Sequence, residues 1–382
     1  MKLLILQEKL KKGLNIIERI SGKSISLPIL SNVLIETKKN FLRLSSTDLE
    51  IGINWWGLVK TEKDGSTTIP INLLSNFLKL LPNKQIIIEK KDNFLNFECD
   101  NLNTQIKSNS PEDFPIIPEV SREEFIELDI TPFCEGLEKV VDIASISQTK
   151  PEISGIYFNI QKDAIRATAT DSFRLAEKTF LPKEINLDIQ TQNKKIVFIL
   201  PQKTTREIIN IFKELGGRVK IYFSPNQILI ENQMEETNHP QIQIVSRLIE
   251  GEYPSYEEII PKKHQTQIII NKNEFLNQLK IAALFTGKIN EIKLNIDAKK
   301  GVLEIFSQSP DLGEHHAQIN SRIKGENMEI SFNYKFLIDG LQNIKSPEVV
   351  FELKKEDEPA LLKAADDPNY LYVVMPIMAS GK

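Results

Sequence analysis

The sequence predicts an α+β protein of three similar domains, each assembled from two strand–helix–strand units. Three observations carry that prediction. The first is a turn that recurs. Ala169-Thr170-Asp171-Ser172-Phe173-Arg174-Leu175-Ala176 follows the alternating run 164–168. Ser46-Thr47-Asp48-Leu49-Glu50 follows 41–44, and Pro310-Asp311-Leu312-Gly313-Glu314 follows 302–306. The three aspartates stand 123 and 140 residues apart, a spacing that points to repeated supersecondary units. The second observation is the even return of helical patterning, which begins near residues 7, 72, 133, 202, 272 and 334. The third is a pair of Pro-containing connectors, Asp113-Phe114-Pro115-Ile116-Ile117-Pro118 and Glu252-Tyr253-Pro254-Ser255-Tyr256, whose Phe-Pro and Tyr-Pro steps lie 139 residues apart. Together they divide the chain into 1–121, 122–256 and 257–382, and 382 residues are in any case long for one core.

Taken in order, 2–6 reads as a strand. Over 7–20 the residues Leu10, Leu14 and Ile17 fall at helical spacing, opposite Glu8, Lys12, Asn15 and Arg19, and Gly22 is the expected stop. Strands are expected over 31–37, 41–45, 50–59 and 66–70. A helix over 72–81 is expected to turn Leu73, Leu74, Phe77 and Leu81 inward and Lys79 outward, before strands near Ile86, Phe94 and Ile106. The later helices are expected over 132–147, 201–215, 272–285 and 333–345.

Composition narrows the function by exclusion. A hydrophobic share of 41%, a charged share of 26% and a net charge of −4 describe an ordinary globular chain, so any basic surface must be local. Cys99 and Cys134 form no CxxC pair, which fits a reducing, cytoplasmic location. The apolar run 3–6 is too short for a signal peptide or a membrane span. His315 and His316 would point to opposite faces of a strand, neither cysteine has a histidine at metal-ligand spacing, and no glycine-rich phosphate loop occurs. The expectation is therefore no catalytic residue, no metal and no cofactor. A Mg²⁺-dependent nuclease built on Asp48, Asp171 and Asp311 is the enzymatic alternative. Against it, the three sit in equivalent turns of separate repeats, where an Asp commonly caps its own backbone.

Charge patterning is more telling. Five of the six expected helices are net positive, together with the sixth summing to +4 while the rest of the chain carries −8. Lys12, Arg19, Lys79, Lys203, Arg206, Lys280 and Lys335 lie opposite the apolar stripes, whereas the third helix turns Glu135, Glu138 and Asp142 outward. A charged outer face is ordinary for one helix. Repeated against an acidic background, it fits a surface that holds phosphates without reading bases.

Four stretches then resemble one family over nearly the whole chain. They are Leu27-Pro28-Ile29-Leu30-Ser31-Asn32 with the Asp48 turn, Pro111-Glu112-Asp113-Phe114-Pro115, the Asp171 turn, and Tyr372-Val373-Val374-Met375-Pro376-Ile377. In order and at these separations they resemble the bacterial DNA polymerase III β subunit, the processivity sliding clamp. The resemblance implies three clamp domains, each of two βαβββ units with two helices packed on antiparallel sheets, and a head-to-tail dimer closed into a ring around duplex DNA. It implies a non-catalytic accessory protein whose partners are the polymerase α subunit, the clamp loader and other polymerase or repair proteins carrying short linear motifs.

Carried over residue by residue, the resemblance implies a peptide groove of Ile153, Thr170, Ser172, Phe173, Arg174, Leu175, Pro254, Ile259, Val373, Met375, Pro376 and Ile377. It adds Lys23, Ser24 and Lys150 to the DNA-facing helix residues, and sets Thr104 and Ile106 against Leu284 and Phe285 across the dimer interface. Departures from the family pattern are visible. Phe173 stands where His or Tyr is frequent and lacks a polar edge. Lys150-Pro151 replaces a frequent Arg-Pro, keeping charge without bidentate geometry. Ser24 replaces a basic residue that Lys23 can stand in for, and Thr104 is more polar than usual. A peptide-binding repeat scaffold without topological linkage to DNA is the non-enzymatic alternative.

Overall fold

The structure is a computed structural model and describes residues 1–21, 27–147, 149–191 and 195–378. The chain forms two compact units: 1–134 with 183–194 and 207–248, and 135–182 with 195–206 and 249–382. Each unit holds one nine-stranded sheet and one smaller sheet, and every strand pairing in them is antiparallel.

In the first unit the smaller sheet runs in the order Lys60–Lys63, Lys2–Leu6, Gln85–Lys91, Phe94–Cys99, Leu102–Lys107. The nine-stranded sheet joins two repeats, because Pro240–Arg247 pairs with Ile51–Leu58, Ile244 lying opposite Ile53. Helix α1 (Gln7–Ile17) buries Leu10, Gly13, Leu14 and Ile17 on one stripe, and a 3-10 turn, Glu18–Ile20, follows it. The expected stop at Gly22 lies outside the described residues. Helix α2 (Ile71–Leu80) corrects the expected inward set. It starts one residue early, and Ile71, Leu74, Ser75 and Leu78 form the buried stripe. At 3.6 residues per turn Leu73 then faces away from Ile71, and it is exposed. Phe77 does pack, edge-on to Phe97 at 5.4 Å.

In the second unit the nine-stranded sheet runs Lys195–Pro201, Gly155–Gln161, Ile165–Thr170, Arg174–Phe180, Tyr370–Val374, Ala360–Ala364, Glu348–Leu353, Thr266–Asn271, Arg322–Lys324. The four-stranded sheet runs Gly313–Asn320, Val302–Ser309, Glu291–Asp297, Met328–Asn333. Helices α3 (Ile130–Val141) and α4 (Gln202–Phe212) are the ones through which the division between units passes. Helices α5 (Lys272–Ala282) and α6 (Tyr334–Gln342) are N-capped by Asn271 and Asn333, whose side chains accept the backbone N–H of Glu274 and Lys335, each at 3.0 Å.

One packing device recurs in three helices. A Cβ on Gly13 of α1 would come within 2.4 Å of the Trp55 ring, one on Gly136 of α3 within 2.1 Å of Phe180, and one on Gly340 of α6 within 2.6 Å of Tyr372. Each helix approaches its sheet over a large aromatic, and only a missing side chain leaves room. Short 3-10 turns carry α1 and α5 on to the expected Ile20 and Phe285 and α2 stops one residue short at Leu80, whereas the other three helices end well before the expected boundary, at Val141, Phe212 and Gln342. Tight i→i−3 bonds close them: Ile143 N–H to the Val140 carbonyl, Leu215 to Phe212 and Ile344 to Leu341. Lys60–Lys63 and Arg322–Lys324, short polar edge strands with no apolar alternation, were not expected.

Candidate binding cleft

The Asp171 turn is held by its own side chains. Thr170 Oγ1 donates to the Arg174 carbonyl at 2.7 Å and accepts Ser172 N–H at 3.1 Å. Asp171 Oδ1 accepts the N–H groups of Phe173 and Arg174, both at 3.0 Å, and Ser172 takes φ +78. The Asp48 turn repeats the set: Thr47 Oγ1 to the Ile51 carbonyl at 2.8 Å, Leu49 N–H to Thr47 Oγ1 at 3.0 Å, and Glu50 and Ile51 N–H to Asp48 Oδ1 at 3.0 and 2.8 Å. Leu49 there takes φ +76. The two aspartates are thus occupied as backbone caps. The third turn is built differently, from Leu312 N–H to the Ser309 carbonyl at 3.3 Å and Gly313 at φ +107. Among the described residues no cluster of three or more His, Cys, Asp or Glu could hold a metal ion. Among the described residues no helix is long and apolar enough to cross a membrane.

What distinguishes the Asp171 turn is a brace. Asp171 Oδ2 accepts Arg174 Nε at 2.9 Å, and Arg174 Nη1 continues to Asp339 on α6, its guanidinium lying 4.7 Å over the Phe336 ring. The largely exposed Phe173 ring lies nearly parallel to Phe336 at 6.3 Å. The Phe173 carbonyl accepts Met375 N–H at 2.8 Å, so the C-terminal segment is tied to the same turn.

Beside this brace opens a cleft of about 740 Å³. Leu175 and Val373, opposite one another on paired strands, join Tyr256 and Leu361 in a buried apolar cluster beneath it. Ile259, Ile260, Pro261, Pro359 and Met375 add apolar lining, and Glu258, Lys262, Lys263, Lys354 and Glu358 supply charge. Tyr256 fixes the connector by donating to Glu177 Oε2 at 2.5 Å, while Tyr253 donates to the Thr168 carbonyl at 3.4 Å and stacks on Tyr157 at 4.9 Å. Burial, and then the charge of Glu177, push the Tyr256 phenol well above its ordinary value, so it remains a donor.

Of the twelve expected groove residues, Thr170, Ser172, Arg174, Leu175, Ile259, Val373 and Met375 line the cleft. Ile153 and Pro376 are buried elsewhere, Phe173 and Pro254 face solvent outside the lining, and Ile377 is tied by its N–H to the Ser331 carbonyl at 2.8 Å. The lining that sequence reasoning missed comes from the connector after Ile259 and from the Lys354–Pro359 turn. The Lys262-Lys263 pair directly after the Pro-rich connector was the one available hint.

The expected basic positions are exposed, and several have acidic neighbours. Lys12 pairs with Glu8 at 3.3 Å, Arg19 with Glu207 at 3.8 Å, Lys79 with Glu18 at 3.7 Å and Arg206 with Asp142 at 2.7 Å. Lys150, Lys203, Lys280 and Lys335 are also exposed, and Lys23 and Ser24 lie outside the described residues. Of the expected interface residues, Leu284 is 67% exposed and Phe285 and Thr104 are half-buried, whereas Ile106 is buried. Ile106 points into its own sheet packing, opposite Leu95, so on this edge strand Thr104 is the more accessible of the two.

The first unit has a cavity of its own, about 1020 Å³, beneath the connector 111–122. Arg43, Asn54, Trp56, His239 and Gln243 make it more polar than the Asp171 cleft. A Ser45–Asn54 hydrogen bond of 2.6 Å stands there at the cross-strand position where the second unit has Thr168 and Glu177, joined at 3.3 Å.

Repeated α+β modules with an apolar cleft lined by a turn, a connector and a C-terminal strand have the features expected of a binding protein. Comparison with known proteins places it further. Family models for the N-terminal, central and C-terminal domains of the DNA polymerase III beta subunit match residues 1–118, 128–255 and 257–378. The chain is 28% identical to the beta sliding clamp of Staphylococcus epidermidis over 364 residues, 92% of each chain, and 26% identical to that of Synechococcus elongatus over 383 residues, 99% of each. The solved DNA polymerase sliding clamp of Bacillus subtilis superimposes with a TM-score of 0.92 over all of both chains at 23% identity, a likeness of fold. The chain belongs to the DNA polymerase III β subunit family.

Proposed function

We propose that this chain is a DNA polymerase processivity factor that encircles duplex DNA as a head-to-tail homodimeric ring and tethers polymerases through the cleft beside Asp171. Its three domains span 1–121, 122–256 and 257–382, and the matched family models support that division. The cleft takes short linear motifs of the polymerase III α subunit, the clamp loader and repair polymerases, an apolar anchor entering over Leu175 and Val373 and flexible Met375 adapting to it. Lys12, Arg19, Lys79, Lys150, Lys203, Arg206, Lys280 and Lys335 face the duplex, and the family resemblance adds Lys23 and Ser24 to that set. Their phosphate contacts are weak and sequence-independent, which suits sliding, since topology rather than affinity retains the ring. The edge strand of one protomer meets Leu284 and Phe285 of the next through Thr104, with Ile106 packed behind it. The protein works in the cytoplasm, has no catalytic role and needs no cofactor.

The observation that carries this reading is the apolar cleft at a turn braced by Arg174, in a chain that matches the family along all three repeats. Truncation after Val374 tests it. That variant keeps the strand Tyr370–Val374, whose Val373 and Val374 are core residues, and removes Met375 and everything after it. Binding of a fluorescent peptide with a Leu-Phe anchor is expected to fall at least about tenfold, the loss of one buried apolar side chain. Unchanged affinity in a folded truncation contradicts the cleft assignment.

A further inference from the structure

The charges lining the cleft are not equivalent. Arg174 is committed to Asp171 and Asp339, and Lys354 to Glu358. Lys262 and Lys263 are different: both are exposed, both line the cleft, and among the described residues neither has an acidic partner. They follow Pro261 directly, so the chain carries two adjacent uncommitted ammonium groups from the apolar wall of Ile259, Ile260 and Pro261. Two carboxylates line the cleft as well: Glu358 is held by Lys354, whereas Glu258, the last residue of the 3-10 turn Tyr256–Glu258, has no ion-pair partner among the described residues. Along the chain, the apolar wall Ile259-Ile260-Pro261 is thus preceded by one carboxylate and followed by two ammonium groups.

We infer that the cleft selects peptides in which one or two carboxylate side chains flank the apolar anchor on the Lys262–Lys263 side. This deepens the proposed function and rests on it. An extended peptide advances about 3.3 Å per residue, so side chains one to three positions beyond the anchor are the ones that reach this lip. The pairs so formed are exposed, and each contributes modestly while steering encounter and setting the register in which the peptide lies. The carboxylate of Glu258 repels the same peptide in the reversed register, which makes the preference directional.

The test uses the full chain and three synthetic peptides that share a Leu-Phe anchor. One carries two Asp on one flank, one the two Asn isosteres, and one two Asp on the opposite flank. Affinities are read by fluorescence anisotropy at low and high salt. The favoured acidic peptide is expected to bind roughly threefold to tenfold tighter than its Asn counterpart at low salt, and to lose that margin at high salt. The Lys262→Gln, Lys263→Gln double variant is expected to abolish the margin without changing affinity for the Asn peptide, and Glu258→Gln to erase the difference between the two acidic peptides. Equal binding of acidic and neutral peptides, or a margin that survives the double variant, overturns the inference while leaving the cleft reading intact. Failure of all three peptides to bind overturns both.

Discussion

Tyr256 shows how much depends on single side chains here. Its hydroxyl is the buried donor to Glu177, which also accepts from Thr168 Oγ1 at 3.3 Å, and with Tyr253 it ties down the connector that walls the cleft. Tyr256→Phe removes that donor and leaves a carboxylate under-satisfied, at a cost of about 1–3 kcal/mol in unfolding free energy. The pH dependence has a definite sign. Burial raises the phenols of Tyr253, Tyr256, Tyr370 and Tyr372 in the folded state, so above the ordinary tyrosine value the unfolded chain holds fewer protons than the native one. The stability these groups contribute is complete below about pH 10 and lost as pH rises further. Denaturant midpoints measured from pH 8 to pH 12 are expected to fall on the alkaline side, less steeply in Tyr256→Phe. An alkaline limb identical in the two proteins would show that Tyr256 is not the titrating contributor.

The same scale explains what could be read from the sequence. The Asp171 and Asp48 turns were legible because Thr-Asp followed by a residue at positive φ is local chemistry, complete within five residues. Lys354, Glu358 and Pro359 were not legible as lining. Nothing local marks them, and they reach the cleft only through the pairing of Ala360–Ala364 with Tyr370–Val374.

At the scale of elements, the helices are seated by glycine. Gly340 lets α6 close on the Tyr372 ring, and Tyr372 in turn donates to the Phe336 carbonyl at 2.8 Å. α6 presents Asp339 and Phe336 to Arg174, so the seat of this helix also positions the braced turn. Gly340→Ala adds a methyl where 2.6 Å is available and is expected to cost about 1–3 kcal/mol despite the better helix propensity of alanine. Chemical denaturation reads the stability, and peptide anisotropy the cleft, where a weakening of severalfold is expected. A variant as stable as the parent would mean that α6 can move off its strand without penalty. The existence and order of the helices were legible from periodicity, and their ends were not. Leu73 alone is misplaced: Leu74 and Leu81 are buried as expected, but adjacent leucines stand about 100° apart on a helix and only one of the two can face the core.

For the whole molecule, the repeat was the most legible property and the grouping of repeats the least. Spacing of turns and connectors gives three similar modules. Yet strand pairing such as Pro240–Arg247 with Ile51–Leu58 and Arg174–Phe180 with Tyr370–Val374 merges strands from different modules into continuous nine-stranded sheets. Such pairings join residues far apart in the chain, and no local pattern announces them. They also place the cleft, which needs the turn of one module and the terminal strand of another.

The central claim is that topology, more than surface affinity, keeps this protein on DNA, and one measurement addresses it directly. The full chain is loaded onto nicked circular duplex DNA by its cognate loader and its retention is followed before and after the circle is cut once. Loss of most of the bound protein on linearisation, at a salt concentration that leaves the circular complex intact, is the predicted result. Equal retention on circular and linear DNA would contradict the account and leave ordinary surface binding in its place.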